Sequence, residues 1–168
     1  MSRLENAYAT ARSILAENGL TRVPISLPRL AKKLAISVEY VSLDRELSGM
    51  ALVDGGVKRV LVNALHAPNR QRFTIAHEIG HHLLHADELE KGVHVDKGIL
   101  RRDKVSAQGT DRLEVEANAF ASELLMPESA IENALGDDFD LDDQTVLEAL
   151  AKRFKVSVSA LQYRLMRS

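Results

Sequence analysis

The chain has 168 residues, 45% of them hydrophobic and 27% charged, a composition that suits a soluble globular protein with enough apolar material for a core. A net charge of −2 gives no support for broad electrostatic binding of nucleic acid or anionic membrane, and an aromatic content of 4% argues against an aromatic-lined nucleic-acid or sugar surface. With no cysteine, disulfides, thiolate-ligated metal and thiol catalysis are excluded; with no apolar run of transmembrane length and no signal-peptide core in residues 1–19, the expected location is the cytoplasm, away from any membrane.

In chain order, Leu4, Ala7, Ala11, Ile14 and Leu15 recur at helical spacing over 4–17, and Asn18-Gly19 is a stop. LPRLAKKLA (27–35) reads as a short second helix with Pro28 in its first turn. The pattern then turns β-rich at 37–43, 49–54 and 58–63, and Asp54-Gly55-Gly56 marks a hairpin, so a small antiparallel sheet of about three strands is expected. Helical periodicity returns over 69–86. Residues 87–110 read as irregular. A second long helix spans 111–125, stopped by Met126-Pro127, and a short one spans 128–135. The acidic stretch 136–143 reads as a solvated loop, and helices at 144–154 and 158–167 close the chain. No internal repeat or low-complexity linker interrupts this order. The expectation is one α+β domain over 1–168, with a catalytic core in 1–135 and a helical C-terminal extension in 136–168.

The informative stretch is His77-Glu78-Ile79-Gly80-His81, an H-E-x-x-H pattern. Residues four apart on a helix lie about 6 Å along the axis and about 40° from vertical alignment, so two imidazoles can close on one zinc ion. Glu78 projects to the side of that face, where a carboxylate can act as general base toward an activated water. The surrounding Phe73, Ile75, Ala76, Ile79, Leu83 and Leu84 predict a buried helix, in which a surface-type His/Glu face would be costly. Gly80 costs about 1 kcal/mol against Ala in a helix interior, which implies close packing by another element there.

Two protein ligands do not complete a catalytic zinc site. His85 lies a further turn along and is expected at the rim or behind a ligand; His82 points off the face toward ordinary packing. The three-His extension of the motif fails, because Leu84 and Asp87 stand where it needs Gly and His. The second long helix offers Glu114, Ala117, Asn118 and Ala121 on one face. Glu114 is the favoured third ligand, with Glu116, Asp111 and His94 as alternatives; Glu116 otherwise reads as an acidic residue pointing elsewhere. Asn118 is placed to accept a hydrogen bond from a ligand histidine.

Together, RFTIAHEIGHHLLH (72–85) and EVEANAFASELLMP (114–127) resemble the ImmA/IrrE family of zinc metallopeptidases, and the elements over 27–63 resemble that family's N-terminal part. The resemblance implies a minimal zincin-like fold with zinc on His77, His81 and Glu114 and with Glu78 as catalytic acid/base. It also implies a metalloendopeptidase whose substrate is a partner helix-turn-helix repressor of a mobile-element or stress regulon. The alternative is a non-hydrolytic zinc-binding regulator acting through protein or DNA contacts, or a toxin–antitoxin component. An oxyanion donor is sought among His85, His94 and Tyr163. Substrate is expected to add as a strand to the edge of the 49–63 hairpin.

TVLEALAKRFKVSVSALQYRLMR (145–167) has a helix-turn-helix cadence. Its apolar positions suffice for a satellite core, leaving Gln162, Arg164 and Arg167 at the tip. Capping or partner docking is therefore expected over direct DNA binding. The pattern specifies no oligomeric state.

Overall fold

The computed structural model describes residues 1–96, 107–136 and 140–167, with the side chains of 107–111 left aside. In chain order the elements are α1 (Arg3–Glu17), α2 (Leu27–Lys33), β1 (Ile36–Val41), β2 (Gly49–Asp54), β3 (Val57–Asn63), α3 (Pro68–Leu84), α4 (Ala86–Lys91), β4 (His94–Asp96), α5 (Ala107–Leu125), α6 (Glu128–Leu135), α7 (Gln144–Phe154) and α8 (Val158–Arg167). The fold class is α+β, as the pattern of elements implied. No helix among the described residues is long and apolar enough to cross a membrane.

The sheet differs from the expected three antiparallel strands. It has four strands in the order β1-β3-β2-β4, and β1 runs parallel to β3, with Ile36 opposite Lys58 and Val41 opposite Asn63. The β2–β3 hairpin is antiparallel and turns at Gly55 and Gly56, both with positive φ. A hairpin signal is local, whereas the side on which a lone strand joins is decided by its connection. Here Asn63 anchors that connection: it is fully buried, and its Nδ2 donates to the carbonyls of Leu43, Asp44 and Leu47.

The stretch 87–110, expected to be irregular, contains α4 and β4, and α5 starts at Ala107 rather than at 111. β4 pairs antiparallel with β2, setting Gly49, Met50 and Ala51 against Asp96, Val95 and His94. This corrects the expected substrate edge. β1 covers the β3 side of the hairpin and β4 covers Gly49–Ala51 on the β2 side, so β4 forms the outer edge beside the first half of β2.

The layers run from the sheet through α3 to α5 and then α1. Helix α3 is enclosed, and every residue from Thr74 to His82 is buried. A Cβ on Gly80 would lie 2.9 Å from Phe120 Cδ1, so the close approach implied by that glycine is made by the fully buried Phe120 of α5. Gly49 is tighter still, since an added Cβ would stand 2.6 Å from both Leu61 O and Thr74 Cγ2. That contact brings the start of β2 against the face of α3 that carries Glu78. Helix α1 begins with a Ser2–Glu5 capping box and buries Ala7, Ala11 and Leu15.

The arginines of α8 are not a free tip. Arg164 is 2% exposed; its Nε donates to Met126 O at 3.0 Å and its Nη2 lies 3.2 Å from Glu123 Oε2. Arg167 Nη2 meets the same oxygen at 2.6 Å and its guanidinium stacks 3.8 Å over the Tyr8 ring. These groups join α8 to α5 and α1.

Candidate metal centre

Helix α3 sets His77 and His81 one turn apart on the side facing α5, and the rings converge. His77 Nε2 and His81 Nε2 are 3.1 Å apart. Glu114, in the third turn of α5, inserts its carboxylate between them, with Oε2 3.0 Å from His77 Nε2 and Oε1 3.1 Å from His81 Nε2. Two ring nitrogens and the two oxygens of one carboxylate group thus converge, the three side chains marking the corners of a small triangle. Behind it, His77 Nδ1–H donates to Asn118 Oδ1 at 2.8 Å, one turn along α5 from Glu114. An amide oxygen only accepts, so this bond keeps a proton on His77 Nδ1 and leaves Nε2 as the ring atom that faces the triangle.

Glu78 is fully buried. Its Oε2 lies 3.1 Å from His94 Nδ1, while its Oε1 has no hydrogen-bond partner among the described residues. His94 enters from β4, its ring 3.8 Å from the His81 ring, and its Nε2 bonds Glu114 Oε1. Donor atoms of His77, His81, His94 and Glu114 all lie within 4.8 Å of one another, and His77, Glu78 and Asp96 form a second such group.

The electrostatics describe a place built for positive charge. Burial opposes protonation of His77, but the Glu114 hydrogen bond and the charges of Glu78, Asp96 and Glu114 outweigh it and raise its pKa to about 9. The same contest at His94, with Glu114 and Glu78 as partners, ends at about 10. His81 goes the other way. Burial, reinforced by the neighbouring His77 and His94 charges, pushes it down to about 3 despite Glu114. Burial works to raise Glu114, yet hydrogen bonds from His77, His81 and His94 hold it well below the ordinary carboxylate range. Burial dominates at Glu78 and raises it. Protons here do what a cation would do, which is to hold acceptors together.

The structure therefore brings His77, Glu78, His81 and Glu114 into one cluster with Asn118 behind it. His85 is buried behind His81, with the two Nδ1 atoms 2.9 Å apart. Glu116 requires a correction. It does not point away but meets His85 Nε2 through Oε2 at 2.7 Å. His82 bonds Arg59 O at 2.8 Å, an ordinary packing role. Tyr163 is 64% exposed on α8 and takes no part in the bonds that join the cluster, and the Asp111 side chain lies outside the described residues. Sequence reasoning passed over Asp96 and the full reach of His94, although Val93-His94-Val95-Asp96 carries a short alternating β signal.

A peptidase family model, described as the IrrE N-terminal-like domain, matches residues 31–166. The radiation response metalloprotease IrrE of Deinococcus radiodurans is 38% identical over 107 residues, 63% of this chain and 30% of that protein. The protein of the same name from Deinococcus deserti is 36% identical over 107 residues, 63% of this chain and 35% of that one. Uncharacterized immunity region protein 2 of Bacillus phage phi105 is 28% identical over 121 residues, covering 72% of this chain and 71% of that protein. The chain thus spans about a third of the length of its Deinococcus relatives and most of that of the phage protein. A solved Mycobacterium tuberculosis transcriptional regulator shares the fold, with a TM-score of 0.59 over 96% of this chain and 46% of that chain at 19% identity.

Proposed function

The chain belongs to the IrrE N-terminal-like domain family of peptidases, and on that premise we propose that it is a zinc-dependent endopeptidase that cleaves a partner helix-turn-helix repressor in the cytoplasm. His77, His81 and Glu114 hold the zinc, Glu78 is the general base, and Asn118 orients His77. The observation that carries this reading is the convergence of two imidazole nitrogens, 3.1 Å apart, on one carboxylate group, each nitrogen 3.0–3.1 Å from its own oxygen of Glu114. Tetrahedral zinc with bonds of about 2.0–2.1 Å asks for donors about 3.3 Å apart, close to the 3.1 Å between the two nitrogens. Their chemistry, two nitrogens and one oxygen, leaves a further coordination position open, as catalytic zinc requires. When bound, zinc supplies a Lewis acid that acidifies water and polarises a carbonyl.

The chain's own residues do the rest. Glu78 has one carboxylate oxygen tied to His94 and one without a partner among the described residues, the condition for accepting a proton from water. Burial raises its affinity for that proton, the direction that favours a general base. The proton then passes from Glu78 to the leaving amine. Of the candidate oxyanion donors, His85 is buried behind His81 and Tyr163 is exposed on α8, which leaves His94, at the sheet edge and half-buried. The outer edge of β4 lies beside these groups and can accept an extended peptide as a further strand.

A repressor substrate is supported by the family and by the names its relatives carry, one tied to radiation response and one to a phage immunity region. A short edge strand gives little general affinity, which favours one docked protein target over broad digestion. The deciding experiment is Glu78→Gln. It keeps the fold and stoichiometric zinc and lowers cleavage of the co-expressed repressor by about 10²–10⁴-fold. If the variant still relieves repression at the wild-type level, the chain acts without hydrolysis and the peptidase reading fails.

A further inference from the structure

Behind His81 lies a second chain of contacts that leads away from the metal centre. His81 Nδ1 and His85 Nδ1 are 2.9 Å apart, and His85 Nε2 is 2.7 Å from Glu116 Oε2. His81, His85 and Glu116 are all buried. His85 closes α3, with its backbone N–H on His81 O and its carbonyl accepting from Glu88 and Leu89, so its ring is held at a fixed point. We infer that Glu116, acting through His85, is a positioning residue that selects the tautomer of His81 and keeps His81 Nε2 open as a ligand atom.

The argument is a count of hydrogens. A carboxylate has only acceptors, so the Nε2–H of His85 points at Glu116. In a neutral imidazole that leaves His85 Nδ1 bare. Two ring nitrogens at 2.9 Å need one hydrogen between them, and it must then belong to His81. With its proton on Nδ1, His81 presents a lone pair from Nε2 toward His77 Nε2 and Glu114. Remove the carboxylate and His85 is free to carry its proton on Nδ1. It then donates to His81 Nδ1 and drives the His81 proton onto Nε2, the atom that faces the triangle. Asn118 performs the same selection for His77 in one step, whereas for His81 it takes two residues. Metal-site partners of this kind fix ring orientation and ligand basicity.

This inference rests on the proposed ligand set, and the test separates the two. Full-length protein is stripped of metal and titrated with zinc against a chromophoric chelator. Glu116→Ala should bind zinc about 10–100-fold more weakly. Glu116→Gln, whose amide oxygen can still accept from His85 Nε2–H, should recover most of that loss. Two-bond ¹H–¹⁵N correlation on histidine-labelled, metal-free protein should show the His81 proton on Nδ1 in the wild type and moved toward Nε2 in Glu116→Ala. Should Glu116→Ala not fold, His85→Leu should show the same weakening. Unchanged zinc affinity in Glu116→Ala, while His77→Ala loses binding, overturns the inference and leaves the ligand set intact. Weaker binding with the His81 proton still on Nδ1 also overturns it, because the effect is then only structural. Wild-type affinity in His77→Ala means the ligand set itself is wrong.

Discussion

Two clusters of buried charge sit at opposite ends of α5, and they are built on opposite rules. Near its C-terminal end, Glu123 is 1% exposed and, among the described residues, meets donors: Arg12 and the Glu128 N–H at Oε1, each at 3.4 Å, and Arg164 and Arg167 at Oε2. Near its N-terminal end, Glu114 meets imidazole nitrogens whose outer positions are already committed, so acceptors face acceptors. Arginine supplies hydrogens and cannot give up its charge, which closes the first cluster. The second is held together only if protons or a cation enter it. Burial of charge therefore does not by itself mark a functional site. What marks one is an excess of inward-facing lone pairs with their outer partners fixed.

The comparison breaks most sharply if one cluster can be removed without touching the other. Glu123→Ala removes the carboxylate that faces the buried Arg164 guanidinium and should cost about 3–5 kcal/mol of stability, measured by chemical denaturation. Zinc affinity per folded chain should be unchanged. The converse is metal removal. At free zinc about 1,000-fold above its dissociation constant, binding adds about 4 kcal/mol of stability, so a chelator should lower Tm by about 8–16 °C for a chain this size. Glu114→Ala should abolish that difference, while Glu123→Ala should preserve it on a lower baseline. If both variants respond alike to the chelator, the two clusters are not independent.

Acidity sharpens the same contrast. In the metal-free cluster His77 and His94 are raised to about 9 and about 10, so both carry protons at neutral pH. On the proposed ligand set, zinc would need the bare Nε2 of His77 and would displace at least one proton. Affinity should therefore rise about tenfold per pH unit for each proton released, level off as pH passes about 9 for His77, and weaken as pH falls. Calorimetry at pH 7 in buffers of different ionisation enthalpy counts the protons directly. Binding that is flat between pH 6 and 8 would mean that His77 is not a ligand.

Much of this centre was legible in the chain because it is helical and local. The i, i+4 spacing of His77 and His81, and the one-turn step from Glu114 to Asn118, survive as geometry because α3 and α5 are regular over those turns. What escaped was set by non-local pairing or by broken periodicity. β4 is a three-residue strand that exists through its pairing with Gly49–Ala51, and its own residues give a weak signal. The parallel placement of β1 depends on the loop fixed by Asn63. Glu116 was misread because helical extrapolation ends at Leu84. His85 leaves the helix at φ −128° and ψ 38°, and so meets a face of α5 that the pattern assigned elsewhere.

The smallest expected effect tests whether arginine has any part in the candidate metal cluster. Arg3 Nη1 stands 3.8 Å from Glu116 Oε1, but its side chain is 65% exposed while that of Glu116 is 10% exposed. A pair so open to solvent is worth about 0–1 kcal/mol, and salt screens it further. Arg3→Ala should therefore shift stability by less than about 0.5 kcal/mol and leave zinc affinity within error of wild type. The Glu116 carboxylate stays in place because His85 holds its Oε2 at 2.7 Å. A weakening as large as that expected for Glu116→Ala would mean that Arg3 positions the carboxylate. Both ends of α5 would then depend on arginine, and the distinction between a closed cluster and an open one would no longer hold.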